Sequence, residues 1–225
     1  MIPAWDYSQV RRDLKRAFEY RYEKNGFGGV RMVGLLFAPP EARLAREEII
    51  PGLRYFHYRS GDNIDFFCAG YRRYGPDLEP GEKAVTDDEP PWVFNLWMYE
   101  QFRRQIQQLS SWRYSGEADL LLMNANFDEG SRDSSLDFTS AIACDLDRMM
   151  KDGAILSVRR FFEDIFQFAE TAQMADPTWG FSDEQGLRTA GSALKRVVLS
   201  VLPKHLGDDY RRAEHFAIRD ISAAS

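Results

Sequence analysis

The chain has 225 residues, of which 44% are hydrophobic and 14% aromatic, which is enough for one large domain with a packed core. Its formal charge of −6, from 29 basic and 35 acidic residues, argues against broad attraction to nucleic acid or to an anionic membrane. No apolar run reaches the roughly 20 residues of a membrane span, and the N-terminus lacks the layout of a signal peptide, so a cytoplasmic location is expected.

The first elements predicted in chain order are a helix and a buried strand. Apolar residues follow a period close to that of an α-helix over residues 8–24, which predicts an amphipathic helix. Residues 30–38 form a nearly unbroken apolar run, typical of a strand that is buried on both faces of a sheet. The glycine-rich turn between them leads into a strand, whereas a phosphate-binding loop opens a helix, so nucleotide cradling is not predicted there.

A helix and a hairpin are predicted to follow this strand. Residues 40–50 show helix-like spacing, with Pro40 suited to the first turn and Pro51-Gly52 to the exit. The aromatic-rich segments 53–59 and 64–71 lie on either side of a short run of turn formers, so they are predicted to pair as an antiparallel hairpin. Together these elements predict a βαββ unit around which the rest of the chain is organised.

A long loop and a long helix come next. Residues 72–91 are rich in glycine, proline and acids, which predicts a surface loop that serves either as a functional lid or as a passive connector. Residues 92–112 show the apolar periodicity of a long helix. The face expected to cover the sheet consists of Val93, Leu96, Trp97, Phe102, Ile106 and Leu109.

Two further strands are predicted in the middle of the chain. Residues 118–125 contain a second apolar run of strand length. In residues 136–146 apolar and polar side chains alternate, broken only at Ser140, which favours a strand paired with the previous one. A helix fits the same segment nearly as well, and the choice decides whether Asp145 and Asp147 lie on the sheet or on a solvated helix.

The last part of the chain has a helical pattern. One apolar helix is predicted around residues 161–169, a second over 186–202 and a third over 208–221. The predicted fold class is therefore mixed α/β, with a mixed sheet of about five strands that is flanked by helices and continued by a helical C-terminal part. Residues 1–152 would form the sheet-containing core, and residues 153–225 would pack on it within a single domain.

Carboxylates near the predicted hairpin and the later polar loop are one candidate for chemistry. Metal ions that cleave phosphodiesters need two or three carboxylates at strand ends, because hard cations prefer oxygen ligands and the metal must activate water. The set consists of Asp62, Asp65, Asp128, Asp133, Asp145 and Asp147. Among these, Asp62, Asp65 and Asp128 would bind Mg²⁺ or Mn²⁺ in a metal-dependent phosphodiesterase or nuclease. The Glu-x-Lys tripeptide that would complete such a core does not follow the hairpin, so solvated loop acids are the alternative.

Arginines between tyrosines at the end of the predicted hairpin are a second candidate. Tyr71, Arg72, Arg73 and Tyr74 have the chemistry to grip a phosphate and to stack a base, so a ligand-binding site is predicted at these residues. The alternative is structural: the arginines pair with the acids of residues 87–89, and the tyrosines pack against the long helix.

Histidine and cysteine chemistry is not predicted. His57, His205 and His215 lack the spacing of a metal clamp, and the chain has no Gly-x-Ser-x-Gly elbow, so core or surface histidines are expected. Cys68 and Cys144 lie far apart in apolar segments, so both are expected to be buried reduced thiols rather than a disulfide or a zinc site.

Aromatic and arginine side chains lead to the favoured hypothesis. Phe161, Phe162, Phe166 and Phe168 fall on more than one side of their helix, so part of them must meet either other helices of this chain or another chain. No complete catalytic set is present, so the chain is predicted to be a non-enzymatic cytoplasmic interaction or accessory protein. A protein partner or a second copy would bind through the aromatic C-terminal helices. No cofactor is expected, and the metal-dependent nuclease is the alternative.

Overall fold

The computed structural model describes residues 1–25, 31–60, 64–73, 78–128, 133–175 and 218–221. The strands within these ranges are β1 (Ile2–Ala4), β2 (Arg31–Phe37), β3 (Asp65–Ala69), β4 (Tyr71–Arg72), β5 (Glu82–Ala84), β6 (Val93–Asn95), β7 (Asp119–Asp128), β8 (Asp133–Asp145) and β9 (Ile218–Asp220). The α-helices are α1 (Tyr7–Asn25), α2 (Leu53–Ser60), α3 (Leu96–Leu109), α4 (Leu146–Lys151) and α5 (Val158–Ala175). In the part of the chain so described, no helix is both long and apolar enough to cross a membrane.

A mixed six-stranded sheet, in the order β1-β3-β2-β7-β8-β9, forms the centre of the fold. β1 and β2 pair with β3 in parallel, whereas β7, β8 and β9 each pair in antiparallel fashion. A second, smaller sheet has the order β4-β6-β5. The predicted mixed α/β class is confirmed, and the main sheet has six strands rather than about five.

The predicted hairpin is wrong, and with it the βαββ unit. Residues 53–59 lie in α2, and β3 pairs in parallel with β2. After β2 the chain passes through a π-helical turn (Ala45–Ile49) and a 3-10 turn (Ile50–Gly52) and continues directly into α2, so Pro51-Gly52 does not end the helical path. The unit is a βαβ crossover, which is the connection that two parallel strands require.

The helical spacing of the apolar residues explains this outcome. The buried residues of α2 are Leu53, Phe56 and Ser60. They recur at i, i+3 and i+7, so they share one face of a helix, whereas in a strand they would alternate between two faces. The segment also contains none of the β-branched residues that favour strands.

Helices cover both faces of the main sheet. On one face, the ring of Phe37 in β2 lies 5.4 Å from that of Phe102 in α3, and α1 packs there through Phe18, whose ring stacks on Phe127 of β7. On the other face, α2 and α5 pack together, since the rings of Phe56 and Phe162 lie 5.1 Å apart.

Close contact between the sheet and α5 depends on a glycine. The rings of Phe66 in β3 and Phe162 in α5 lie 5.0 Å apart. A Cβ atom at Gly34, the neighbour of Phe66 on β2, would lie 2.6 Å from the Cδ2 atom of Phe66. Glycine at this position therefore makes room for the aromatic ring that joins β3 to α5.

The strand predictions for the middle of the chain are confirmed. Residues 119–128 form β7, and residues 133–145 form β8, so the strand interpretation of residues 136–146 holds up to Asp145. The register changes between the pairs Leu122↔Ile142 and Asn124↔Asp137, which is the stretch around Ser140 where the alternation breaks. Additional residues of β8 bulge out of the ladder there.

Two boundaries differ from those predicted. The helix expected over residues 92–112 is preceded by β6 and begins at Leu96, because the side chain of Asn95 accepts a hydrogen bond from the backbone N–H of Met98 and caps the helix. Leu96 and Trp97 are exposed rather than turned toward the sheet. The loop predicted over residues 72–91 contains β5, which pairs with β6.

The C-terminal helices are corrected in part. Phe161, Phe162 and Phe166 of α5 are buried inside this chain, and Phe168 is half-buried. The helix predicted over residues 208–221 is wrong at its end, because residues 218–220 form β9 beside β8. The helix predicted over residues 186–202 lies outside the described residues.

β1 is an edge strand that side chains hold in place. The α-amino group of Met1 donates to the carbonyl oxygen of Phe56 at 2.9 Å, and Nδ1 of His57 donates to the carbonyl oxygen of Met1. Nε2 of Gln9 donates to the carbonyl oxygen of Pro3 at 3.3 Å. These contacts fasten the strand to α1 and α2.

Candidate functional site

The two described members of the predicted metal site, Asp65 and Asp128, are not brought together. Asp65 is buried at the start of β3, where the guanidinium of Arg31 contacts both of its carboxylate oxygens. Asp128 is exposed at the far end of β7, and Asp62 lies outside the described residues. Asp65 and Met123 both pair with Val33 of β2, so they lie at the same height in the sheet. Asp128 follows Met123 on β7, so it lies about 16 Å from this height along the strand direction and about 10 Å from β3 across the strands.

Two other acids of that set, Asp145 and Asp147, serve the structure around α4. Asp145 ends β8 and caps α4 by accepting a hydrogen bond from the backbone N–H of Arg148 at 3.0 Å. Asp147 is buried in α4 and pairs with Arg43 at 3.2 Å and with Lys151. No group of three or more metal-binding side chains occurs among the described residues. The Mg²⁺ or Mn²⁺ site, and with it the nuclease alternative, stays a prediction.

The predicted ligand-binding segment divides between the interior and the surface. Tyr71 is fully buried, and its hydroxyl donates to the carbonyl oxygen of Ala38 at 2.7 Å. Arg72 pairs with Glu82 of β5, with Nε 2.7 Å from Oε1, and its guanidinium lies 5.5 Å from the centroid of the Trp5 ring. The hydrogen bond from Arg72 lowers the pKa of Glu82 below its usual value.

Arg73 is the member of the segment whose charge is least matched. It is half-buried, and its Nε atom is buried without an acceptor among the described residues. Tyr74 lies outside the described residues. The three described residues of this segment thus contribute one buried hydroxyl, one paired arginine and one arginine with an unmatched donor.

A surface that the sequence did not reveal lies on α2. We call it the α2 surface, and it consists of Arg54, Tyr55 and Tyr58 of α2 with Arg159 of α5. Tyr58 is 67% exposed and Tyr55 is 36% exposed. The guanidinium carbon of Arg159 lies 4.1 Å from the centroid of the Tyr55 ring, which is a cation–π contact. Two aromatic rings and two arginines therefore share one patch.

Contacts between α2 and α5 hold this patch in place. Behind the surface, Phe56 packs on Phe162 in the core. One helical turn beyond the pair of Tyr55 and Arg159, the Nε atom of Arg59 lies 3.0 Å from a carboxylate oxygen of Glu163. Because the contacts advance by one turn on both helices, α2 and α5 run side by side in the same direction.

The α2 surface is basic although the whole chain is acidic. α2 contains no acidic residue, and Arg54, Arg159 and Arg160 are exposed. Three acids of the same region are already engaged: Asp88 lies 4.0 Å from Arg54, Glu163 pairs with Arg59, and the carboxylate of Glu48 accepts the backbone N–H of Val158 at 2.6 Å. The exposed Arg159 and Arg160 at the start of α5 therefore carry the basic character of this region.

Sequence reasoning missed this surface because it assigned residues 53–59 to a strand. In a strand, Tyr55 and Tyr58 would point to opposite faces, whereas at i and i+3 of a helix they are neighbours. The spacing of Leu53, Phe56 and Ser60 was the signal that could have revealed the helix and its exposed face.

Comparisons with known proteins give no match: no family model fits the chain, and searches of curated proteins and of solved structures found none that matches.

Proposed function

We propose that this chain is a non-enzymatic interaction or accessory protein of the cytoplasm that binds an acidic protein segment through the α2 surface. The observation that supports the proposal is the exposed pair of Tyr55 and Tyr58 beside Arg54 and Arg159. Tyrosine and arginine are among the residues that contribute most binding energy in protein interfaces. The exposed face of α2 carries both residue types, and its other face packs against the core. Such a surface is suited to binding a partner.

The stacking of Arg159 on Tyr55 supports this use of the surface. A guanidinium that lies flat on an aromatic ring keeps its N–H edge available for a carboxylate of a partner. A tyrosine has few side-chain torsions, so it gives large contact area at a low cost in conformational entropy. These side chains therefore lose less conformational entropy when a partner binds.

Charge complementarity selects the partner. The exposed side chains of α2 and of the start of α5 include Arg54, Arg159 and Arg160, so a segment rich in aspartate and glutamate is favoured. Apolar or aromatic side chains in that segment would pack on Tyr55 and Tyr58. The aromatic C-terminal helices were the predicted docking element, and the proposal uses the exposed side of α5 rather than its buried phenylalanines.

A peptide display selection on the purified full-length chain tests the proposal. We expect the enriched peptides to combine acidic residues with aromatic or aliphatic ones. The double variant Tyr55→Ala/Tyr58→Ala should weaken their binding about tenfold or more, because it removes the two aromatic anchors. The charge-reversal variant Arg54→Glu/Arg159→Glu should weaken it as well, and more strongly at low salt.

Trp97→Ala is the matched control. Trp97 is a 63% exposed aromatic residue on α3, on the opposite face of the main sheet, so its removal should leave peptide binding unchanged. Enriched peptides without acidic residues, or equal binding by the double variant, would contradict the proposal. A dimer in sedimentation that the double variant abolishes would assign the surface to self-association instead.

A further inference from the structure

The small sheet places Arg73 beside Trp92. β4 and β6 pair with Arg72 opposite Val93, and one more step of this register sets Arg73 opposite Trp92. Residues that face each other across two strands project to the same side, so these two side chains are neighbours. Tyr71 lies on the same side, and its ring centroid is 6.4 Å from that of Trp92. Arg72 projects to the other side, toward Glu82.

Both neighbours hold a buried N–H group that lacks an acceptor. Nε of Arg73 and Nε1 of Trp92 are each buried, and neither has a hydrogen-bond partner among the described residues. Trp92 is fully buried, whereas Arg73 is half-buried and reaches solvent. Buried donors are almost always satisfied in folded proteins, so two unmatched donors on neighbouring side chains call for an acceptor.

His57 lies beside Trp92 and close enough to Arg73 to feel its charge. The ring of His57 lies 6.3 Å from that of Trp92, and its Nδ1 donates to the carbonyl oxygen of Met1. Burial lowers the pKa of His57, and the charge of Arg73 contributes to the shift. Within the described ranges no carboxylate forms an ion pair with Arg73, in contrast to Arg72 with Glu82.

We infer that Arg73 and Trp92 form a binding site for a small oxyanion, a phosphate or a carboxylate. Two N–H donors, one of them on a guanidinium, match two oxygens of such a group, and hydrogen bonds from a charged donor are the stronger kind. Trp92 is buried and Arg73 is half-buried, so Arg73 is the member of the pair that solvent reaches. The inference is independent of docking at the α2 surface.

Indole N–H signals in ¹H–¹⁵N NMR spectra of the full-length protein test the site. The chain has five tryptophans, and Trp92→Phe assigns the signal of interest. Titration with inorganic phosphate at constant ionic strength should move the Trp92 signal until it saturates. Arg73→Gln should weaken phosphate binding about tenfold or more, since it removes a hydrogen bond to a charged group. A parallel titration with acetate shows whether a carboxylate or a phosphate fits better.

Arg104→Gln is the matched control for the loss of one arginine. Arg104 is exposed on α3, and its Nε atom lies 3.9 Å from the nearest carboxylate oxygen of Glu100. This variant should respond to phosphate as the parent does. A Trp92 signal that responds to neither anion, or that responds equally in Arg73→Gln, would overturn the inference.

Two further variants keep the outcome decisive. If Arg73→Gln does not fold, Trp92→Phe removes the indole donor and keeps an aromatic ring, and its affinity for phosphate by calorimetry should fall several-fold. Unchanged affinity overturns the inference. Asp77→Asn tests whether the carboxylate of Asp77 is the acceptor for Arg73. If this variant responds to phosphate and the parent does not, the inference is overturned as well.

Discussion

Arg31 lies near the amino end of β3 and Arg73 near its carboxyl end, but only Arg31 has a carboxylate partner among the described residues. At the amino end, Asp65 and Arg31 are both buried, and each neutralises the other. At the carboxyl end, beyond Gly70, Arg73 and Trp92 present buried donors without acceptors among the described residues. Residue type alone therefore does not distinguish the two ends. A matched pair has no interaction left to offer a ligand, whereas a donor without an acceptor still has one.

Removing the ion pair of Asp65 with Arg31 should lower the free energy of unfolding more than any other change considered. Asp65→Asn leaves the charge of Arg31 buried without its counter-charge, so we expect the free energy of unfolding to fall by about 3–5 kcal/mol. Urea denaturation measures it. The double variant Arg31→Met/Asp65→Leu should recover most of the loss, because it removes both charges. A loss below about 1 kcal/mol in Asp65→Asn would show that the pair is not the stabilising element described here.

Gly70→Ala probes the backbone between the two ends. Gly70 has a φ of 79°, and a Cβ there would lie 2.6 Å from the Cβ and 3.0 Å from the Cα of Tyr99. The left-handed conformation and the clash together should lower the free energy of unfolding by about 2–4 kcal/mol. Gly81→Ala is the control: its φ is 87°, but nothing lies within 4 Å, so only the conformational cost of about 1–2 kcal/mol should appear. Equal losses of unfolding free energy in the two variants would contradict the close approach of Gly70 to Tyr99.

Tyr71→Phe tests whether the Tyr71 hydroxyl serves stability or anion binding at Arg73 and Trp92. The Tyr71 hydroxyl donates to the carbonyl oxygen of Ala38, so its removal should cost about 1 kcal/mol in thermal or urea unfolding. The phosphate response of the Trp92 indole should be unchanged, because Tyr71 acts as a structural residue. A loss of that response with stability intact would place Tyr71 in the oxyanion site.

The smallest expected effect is a pH dependence from His57. Its pKa lies below the ordinary value because of burial and, in part, Arg73. The unfolded chain therefore takes up this proton first as the pH falls, so the stability due to neutral His57 is complete above about pH 6.5 and is lost below it. His57→Gln should flatten the dependence of unfolding free energy between about pH 5 and pH 7. An equally steep curve in this variant would show that other groups cause it.

The main strands were predictable because each carries a strong local pattern. The apolar run of β2 and that of β7 are buried along most of their length, and the broken alternation of β8 coincides with its change of register. α2 was not predictable by the same reasoning, since a short aromatic-rich segment suits a strand as well as a helix. β9 joins the sheet from the distant end of the chain, and β1 contains a proline, so neither gave a local signal.

The candidate sites depend on contacts that are distant in sequence. Arg73 was selected from its neighbours in the chain, but its position next to Trp92 follows from the pairing of β4 with β6. Asp65 was selected for its position on one face of a predicted hairpin strand, but its partner Arg31 comes from the neighbouring strand. Tyr55 and Tyr58 became a surface only once α2 was seen to be a helix. Local patterns do not contain these pairings.

The outer edge of β1 limits how copies of this molecule can aggregate. An open strand edge offers N–H and C=O groups on which a strand of another chain can add and start a fibril. Along β1, Pro3 has no N–H to offer, its carbonyl oxygen is occupied by Gln9, and that of Met1 is occupied by His57. Growth of the sheet is therefore blocked on this side.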